Sequence, residues 1–250
     1  MASNVQSIDR ALNILEIISE QEQISLKDLV EATKLSKATV HRLVNSLINN
    51  GYVEKNELTG QYEITFKMFQ LGNKRVQNID FLNVAKSMIS QLTNTLGETC
   101  HLVVEDNYEV LYVDKFVPNN NTRAMASKIG TRAPMYCTAV GKSILSTYDN
   151  EKIKEIWEQS NIVKLTENTI IDFTQLMHEI KEIRKQGYSV DNEENERGIY
   201  CVSTYFVNYR NEVQGAISLS FPTTQLDKKE YFVKQLKECA DKTSKLLGYN

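Results

Sequence analysis

Apolar residues recur at helical spacing from the start of the chain. Ile8, Ala11, Leu12, Leu15 and Ile18 share one face and predict an amphipathic helix over about Ser7–Glu20. Ser25-Leu26-Lys27-Asp28 approximates a capping box that opens a second helix, with Leu26, Leu29 and Val30 facing inward. After the short connection Thr33-Lys34-Leu35, Ser36 caps a third helix that runs to Asn50. Gly51 stands where a left-handed C-terminal cap is expected.

Two short β-like runs follow, Gly51–Glu54 and Gln61–Ile64, on either side of the polar turn Lys55–Gly60. Helix, helix-turn-helix and hairpin in that order predict a winged helix-turn-helix over residues 1–65. From Phe66 to Leu96 the pattern is again helical, with breaks expected near Gly72 and Asp80. Residues 66–80 are read as a connector helix, and residues 81–250 as a second domain for effector binding and oligomerisation. Within that domain Phe81, Val84, Met88 and Leu92 make an apolar stripe suited to pairing with a second copy.

The remainder alternates. Strands are predicted near Thr99–Glu105, Val110–Phe116 and Ala124–Lys128, then helices near Thr138–Tyr148 and Asp172–Gln186. Strands near Ile199–Val207 and Val213–Phe221 and a helix over about Asp227–Leu247 complete the chain. Antiparallel strands with helices on their faces make this an α+β domain of the ligand-sensor type.

With 29 basic and 32 acidic residues the net charge is −3, so nucleic acid cannot be held by a globally basic surface and needs a local patch. The third helix supplies one. No acidic residue stands between Ala32 and Val53, while Lys34, Lys37 and Arg42 are basic. Val40, Leu43, Val44, Leu47 and Ile48 form its apolar stripe, which leaves His41, Arg42 and Asn45 on the opposite face. Arg42 can read guanine and Asn45 adenine. Ser36, Lys37 and Thr39 suit phosphates, as does Lys55 in the wing. The expected partner is double-stranded promoter DNA.

No run of the ~18 apolar residues that a membrane span needs is present, and Met1–Asp9 lacks the pattern of a secretory signal. The expectation is a cytoplasmic protein with no membrane partner, no cofactor and reduced thiols. The four cysteines include no C-x-x-C pair. A convergence of Cys100, His101, Cys137 and Cys201 on zinc, giving a metal- or thiol-dependent sensor or enzyme, is the alternative reading. No activated nucleophile pair is recognisable, so no catalytic residue is assigned.

Two segments are polar where a core would be apolar, Gly130–Ser143 and Asp191–Cys201. Gly141-Lys142-Ser143 resembles the end of a phosphate-binding loop, but the first glycine of that motif is replaced by Tyr136. Thr138 instead reads as a helix cap that turns the amides of Ala139 and Val140 toward a small anion. Asp191 and Cys201 bracket a loop, and Ser218 and Ser220 alternate on a strand and share a face. Two readings stand for these residues: a small polar pocket, or small packing residues with Asp191 as a turn former.

The ordered blocks Ser7–Leu15, Ser36–Leu43, Asn49–Val53, Gly130–Lys142, Gly187–Cys201 and Ala216–Ser220 resemble the isocitrate-lyase-regulator (IclR) family of bacterial transcription factors over essentially the whole chain. The resemblance implies an N-terminal winged helix-turn-helix and a C-terminal GAF-like effector domain. It implies a regulator, read as a repressor, that binds promoters as a homodimer or homotetramer under control of a small-molecule effector. By the same resemblance the effector pocket falls on Ala139, Val140, Asp191, Cys201, Ser218 and Ser220. Two positions depart from the family pattern. Tyr205 stands for a proline and Phe221 for a glycine, so two bulky aromatics are expected to change the size of the pocket.

Overall fold

The computed structural model describes residues 5–77, 80–118, 125 and 127–249. The chain divides into two compact units, residues 1–79 and 80–250. The first holds α1 (Gln6–Ser19), α2 (Leu26–Thr33), α3 (Lys37–Asn49), the hairpin β1 (Val53–Lys55) and β2 (Tyr62–Ile64), and α4 (Lys67–Gln77). Its starts and stops are set locally. Ser25 and Ser36 cap α2 and α3 by accepting from the amides of Asp28 and Thr39, and Lys34 turns the chain in the left-handed region. The buried faces of the first three helices close a core of Ile14, Ile18, Leu29, Val40 and Val44, which Val53 and Tyr62 of the hairpin complete. Ile24 exchanges two backbone bonds with Tyr62, so the wing is anchored to the chain ahead of α2. The break predicted near Gly72 does not occur. α4 runs through it, and a Cβ at Gly72 would meet nothing within 4 Å among the described residues.

The second unit is built on a six-stranded antiparallel sheet in the order β5-β4-β3-β8-β7-β6. Its strands are β3 (Thr99–Asp106), β4 (Glu109–Phe116), β5 (Arg132–Pro134), β6 (Ser189–Asn192), β7 (Ile199–Val207) and β8 (Val213–Pro222). α5 (Asp80–Leu96) and α9 (Lys229–Leu246) cover one face, while α6 (Ala139–Leu145) lies on the other, backed by α7 (Asn150–Gln159) and α8 (Phe173–Gln186). A 3-10 turn, Thr223–Lys228, occupies the start of the predicted last helix. The strand predicted near Ala124–Lys128 lies partly outside the described residues, and its described members are not in a strand; the edge is Arg132–Pro134 instead. Among the described residues no helix is long and apolar enough to cross a membrane.

Of the stripe expected to pair copies, Leu92 is buried within the unit, while Val84, Met88 and Phe81, which packs on Phe206 with ring centroids 5.9 Å apart, are half-buried; Leu82, Ala85 and Ile89 beside them are buried. Gly141 is dictated by contact: a Cβ there would overlap the backbone of Met135, so α6 lies directly on the preceding segment.

Candidate functional site

Sheet register assembles the site in the second unit. Asp191 pairs with Cys201, and Cys201 with Ser220, across β6, β7 and β8. One step along, Ser218 pairs with His101 of β3. Residues directly opposite one another share a face, so one surface of the sheet presents carboxyl, thiol, two hydroxyls and an imidazole. Above it, Thr138 caps α6 by accepting from the Gly141 amide at 3.2 Å while donating to the Pro134 carbonyl at 2.8 Å. The first two amides of a helix have no carbonyl of their own turn to meet, and here they belong to Ala139 and Val140. The free space between these elements, solvent at its open mouth included, is about 420 Å³. All six sequence-predicted effector residues line it, together with His101, Tyr112, Ser127 and Asn195.

The chemistry inside is close to neutral. His101 is buried, its Nε2 2.9 Å from Ser127 Oγ and its Nδ1 3.3 Å from Ser218 Oγ. Burial, with help from the Lys115 ammonium, lowers its pKa to about 3, so the ring is uncharged at physiological pH. Cys201 Sγ lies 3.1 Å from Ser220 Oγ, and burial pushes the thiol well up. Asp191 Oδ1 accepts from the amides of Glu194, at 2.7 Å, and Asn195, at 3.4 Å, which seats the 191–198 loop. Burial, and then the nearby Glu194, raise the Asp191 pKa from 3.8 to about 7.

Between those two values folded Asp191 holds a proton that the unfolded chain releases. Stability therefore falls as pH rises from about 4 to about 7 and is flat above. Asp191→Asn should flatten that decline, by a few kcal/mol in total, in urea titrations at a series of pH values. A variant as steep as the wild type would place the titrating group elsewhere.

Sequence reasoning places His101 only in the zinc alternative; the structure puts this polar residue of the apolar run Cys100–Val104 in the cavity wall. The zinc reading finds no support. Cys100 and His101 are consecutive on β3 and so project to opposite faces. Among the described residues no group of three or more His, Cys, Asp or Glu side chains could hold a metal ion. The two aromatics behave differently from expectation. Phe221 follows Ser220 and faces away, its ring packed at a tilt on Phe232 of α9 with centroids 4.8 Å apart. Tyr205 shares the face of Cys201 but sits four residues along, roughly 13 Å away, and lines nothing in the cavity.

In the first unit α3 carries its predicted surface. Lys37, His41, Arg42 and Asn45 are exposed along one side, and Lys55 is exposed in the wing. Ser36 and Thr39 are tied to each other, hydroxyl to hydroxyl at 2.9 Å, as part of the cap. His41 Nδ1 lies 3.4 Å from Asn45 Nδ2.

Residues 73–245 match the family model described as the bacterial transcriptional regulator IclR C-terminal domain, and residues 7–57 match the IclR helix-turn-helix domain. The chain is similar to the HTH-type transcriptional regulator KdgR of Dickeya chrysanthemi, with 33% identity over 99% of this chain and 81% of that protein. Among solved structures it resembles the Thermotoga maritima IclR, with a TM-score of 0.82 and 29% identity over 98% of this chain and all of that one. An IclR homolog from Microbacterium hydrocarbonoxydans, complexed with 4-hydroxybenzoate, shares the fold at a TM-score of 0.86 and 18% identity over 96% and 98% of the two chains. With both halves accounted for by one family's two domains, and a regulator related from end to end, this chain belongs to the IclR family of bacterial transcriptional regulators.

Proposed function

We propose that residues 1–65 read promoter DNA, that 66–80 connect, and that 81–250 bind a small metabolite that sets DNA affinity. In this reading Arg42, Asn45 and His41 meet base edges, and Ser36, Lys37, Thr39 and Lys55 meet phosphates. The metabolite places a carboxylate at the amides of Ala139 and Val140. Its hydroxyls meet Ser218, Ser220 and Asp191, and its apolar edge meets Cys201. The observation that carries this is the sheet register, which aligns Asp191, Cys201 and Ser220 beside the Ser218–His101 pair under a helix start. The protein acts as a regulator in the cytoplasm, without chemistry of its own, and as a homodimer or homotetramer whose operator half-sites lie about one helical turn or a multiple apart.

A thermal-shift screen of small organic acids, sugars and aromatic acids tests the pocket, followed by footprinting with each hit. Ser218→Ala combined with Ser220→Ala should abolish the operator response to a hit while metabolite-free DNA binding stays near normal, because a ligand shifts affinity only by its preference between states. Calorimetry decides it: unchanged affinity of the hit for the double variant puts the site elsewhere.

A further inference from the structure

Lys142, from the Gly-Lys-Ser run that fails as a phosphate loop, is completely buried. Its Nζ lies 2.5 Å from Glu194 Oε1 and 2.9 Å from Glu179 Oε1 of α8. α6, which carries Lys142, also carries the two amides at the top of the effector cavity, while Glu194 sits in the 191–198 loop that forms the cavity rim. Glu194 is joined to the cavity twice: its side chain reaches Lys142, and its amide donates to Asp191 Oδ1 at 2.7 Å. On the outside the loop backbone is bolted to the preceding segment, with Thr169 Oγ1 donating to the Glu194 carbonyl at 2.6 Å and Asn168 Nδ2 to the Asn192 carbonyl at 2.9 Å.

We propose that Lys142 is a positioning residue that draws two walls of the effector cavity together, holding the 191–198 loop against α6 through Glu194. Its relevance to effector control rests on the cavity assignment above. Stability alone does not explain the arrangement, since replacing a buried ion pair by packed apolar residues is often neutral or favourable. The loop is also held in an unrelaxed form. Glu193 sits at φ 57°, a region that costs non-glycine residues free energy. Glu194 Oε2 is buried with no hydrogen-bond partner among the described residues. A segment with two unfavourable features stays put only where its surroundings over-determine it, and the Lys142 clamp does so from the cavity side while Thr166, Asn168 and Thr169 hold the backbone from outside.

Amide hydrogen exchange on the full-length protein, with no metabolite present, tests the clamp. In Lys142→Met/Glu194→Leu the amides of Glu194, Asn195 and Gly198 should exchange at least about tenfold faster than in the wild type, while those of β3 and α8 keep their rates. Glu194→Gln, which retains an acceptor for Lys142, should stay within about threefold of the wild type. If the double variant does not fold, Glu194→Leu alone leaves Lys142 its Glu179 partner and should show the same local acceleration. Unchanged loop exchange overturns the proposal, as does acceleration spread equally through β3 and α8, or a glutamine variant as fast as the double. The readout needs no metabolite, so a failed metabolite screen leaves the clamp standing, and a failed exchange test leaves the effector site standing.

Discussion

Lys142→Met should remove about 3–5 kcal/mol from the unfolding free energy of the second unit, the range found when one partner of a buried ion pair is deleted. Burial alone would push the Lys142 ammonium down; Glu194 and Glu179 more than reverse this and leave it raised. A raised lysine keeps its proton and its contribution through neutral pH and loses it only in strong alkali, so the full effect is present at neutral pH. Methionine keeps the volume and removes the charge, which leaves Glu194 ionised in an apolar site or forces it to take up a proton. The deficit should therefore be smaller at about pH 5 than at about pH 8, where holding that proton costs more. Trp157, the single tryptophan, packs between Tyr136 and Phe173 and gives a fluorescence signal for this unit in urea. A loss below about 1 kcal/mol would show that the pair carries no such burden.

The second large effect belongs to α3. Arg42→Ala should weaken binding to the cognate operator by roughly 1–3 kcal/mol and relax base preference at one position per half-site. Lys37→Ala should weaken all sequences about equally and lower the salt slope by about one. The contrast follows from the contacts each residue can make: a planar fork reads the guanine edge, whereas a point charge near the start of the helix meets phosphate wherever it finds it. Both side chains are exposed, so neither change should disturb folding. Gel shifts across a salt series, against the cognate site and a scrambled one, separate the two. Wild-type binding by both variants would remove α3 from the groove.

What could be read in advance was local. The caps Ser25, Ser36 and Thr138 act within three residues of themselves, so their chemistry is visible in the chain. The pairing of Ser218 with Ser220 follows from strand alternation, and the same rule applied one residue further would have turned Phe221 away from the cavity. α7 went unpredicted although Asp149 caps it, because its buried contribution is little more than Ile153 and Ile156. The apolar stripe of α5 was visible, but periodicity cannot say whether its own sheet or a second copy covers it. The fate of Lys142 was out of reach for a different reason. A lysine in a polar run looks solvated, and its partners lie 37 and 52 residues away.

The order of strands separates the cavity into a fixed part and an adjustable one. His101, Ser218 and Ser220 belong to β3 and β8, each flanked by a strand on both sides, so any change of backbone there must be absorbed by two ladders. Asp191 belongs to β6, four residues long and, among the described residues, paired with β7 alone, and Asn195 and Glu196 to the loop beyond it. Away from Glu194, insertions or substitutions at that margin disturb one ladder at most. On the assignment proposed above, one metabolite would be exchanged for another by rebuilding the rim while the hydroxyl and imidazole floor stays in place, and selection for a new effector should find its first successes between residues 192 and 198, at positions other than Glu194.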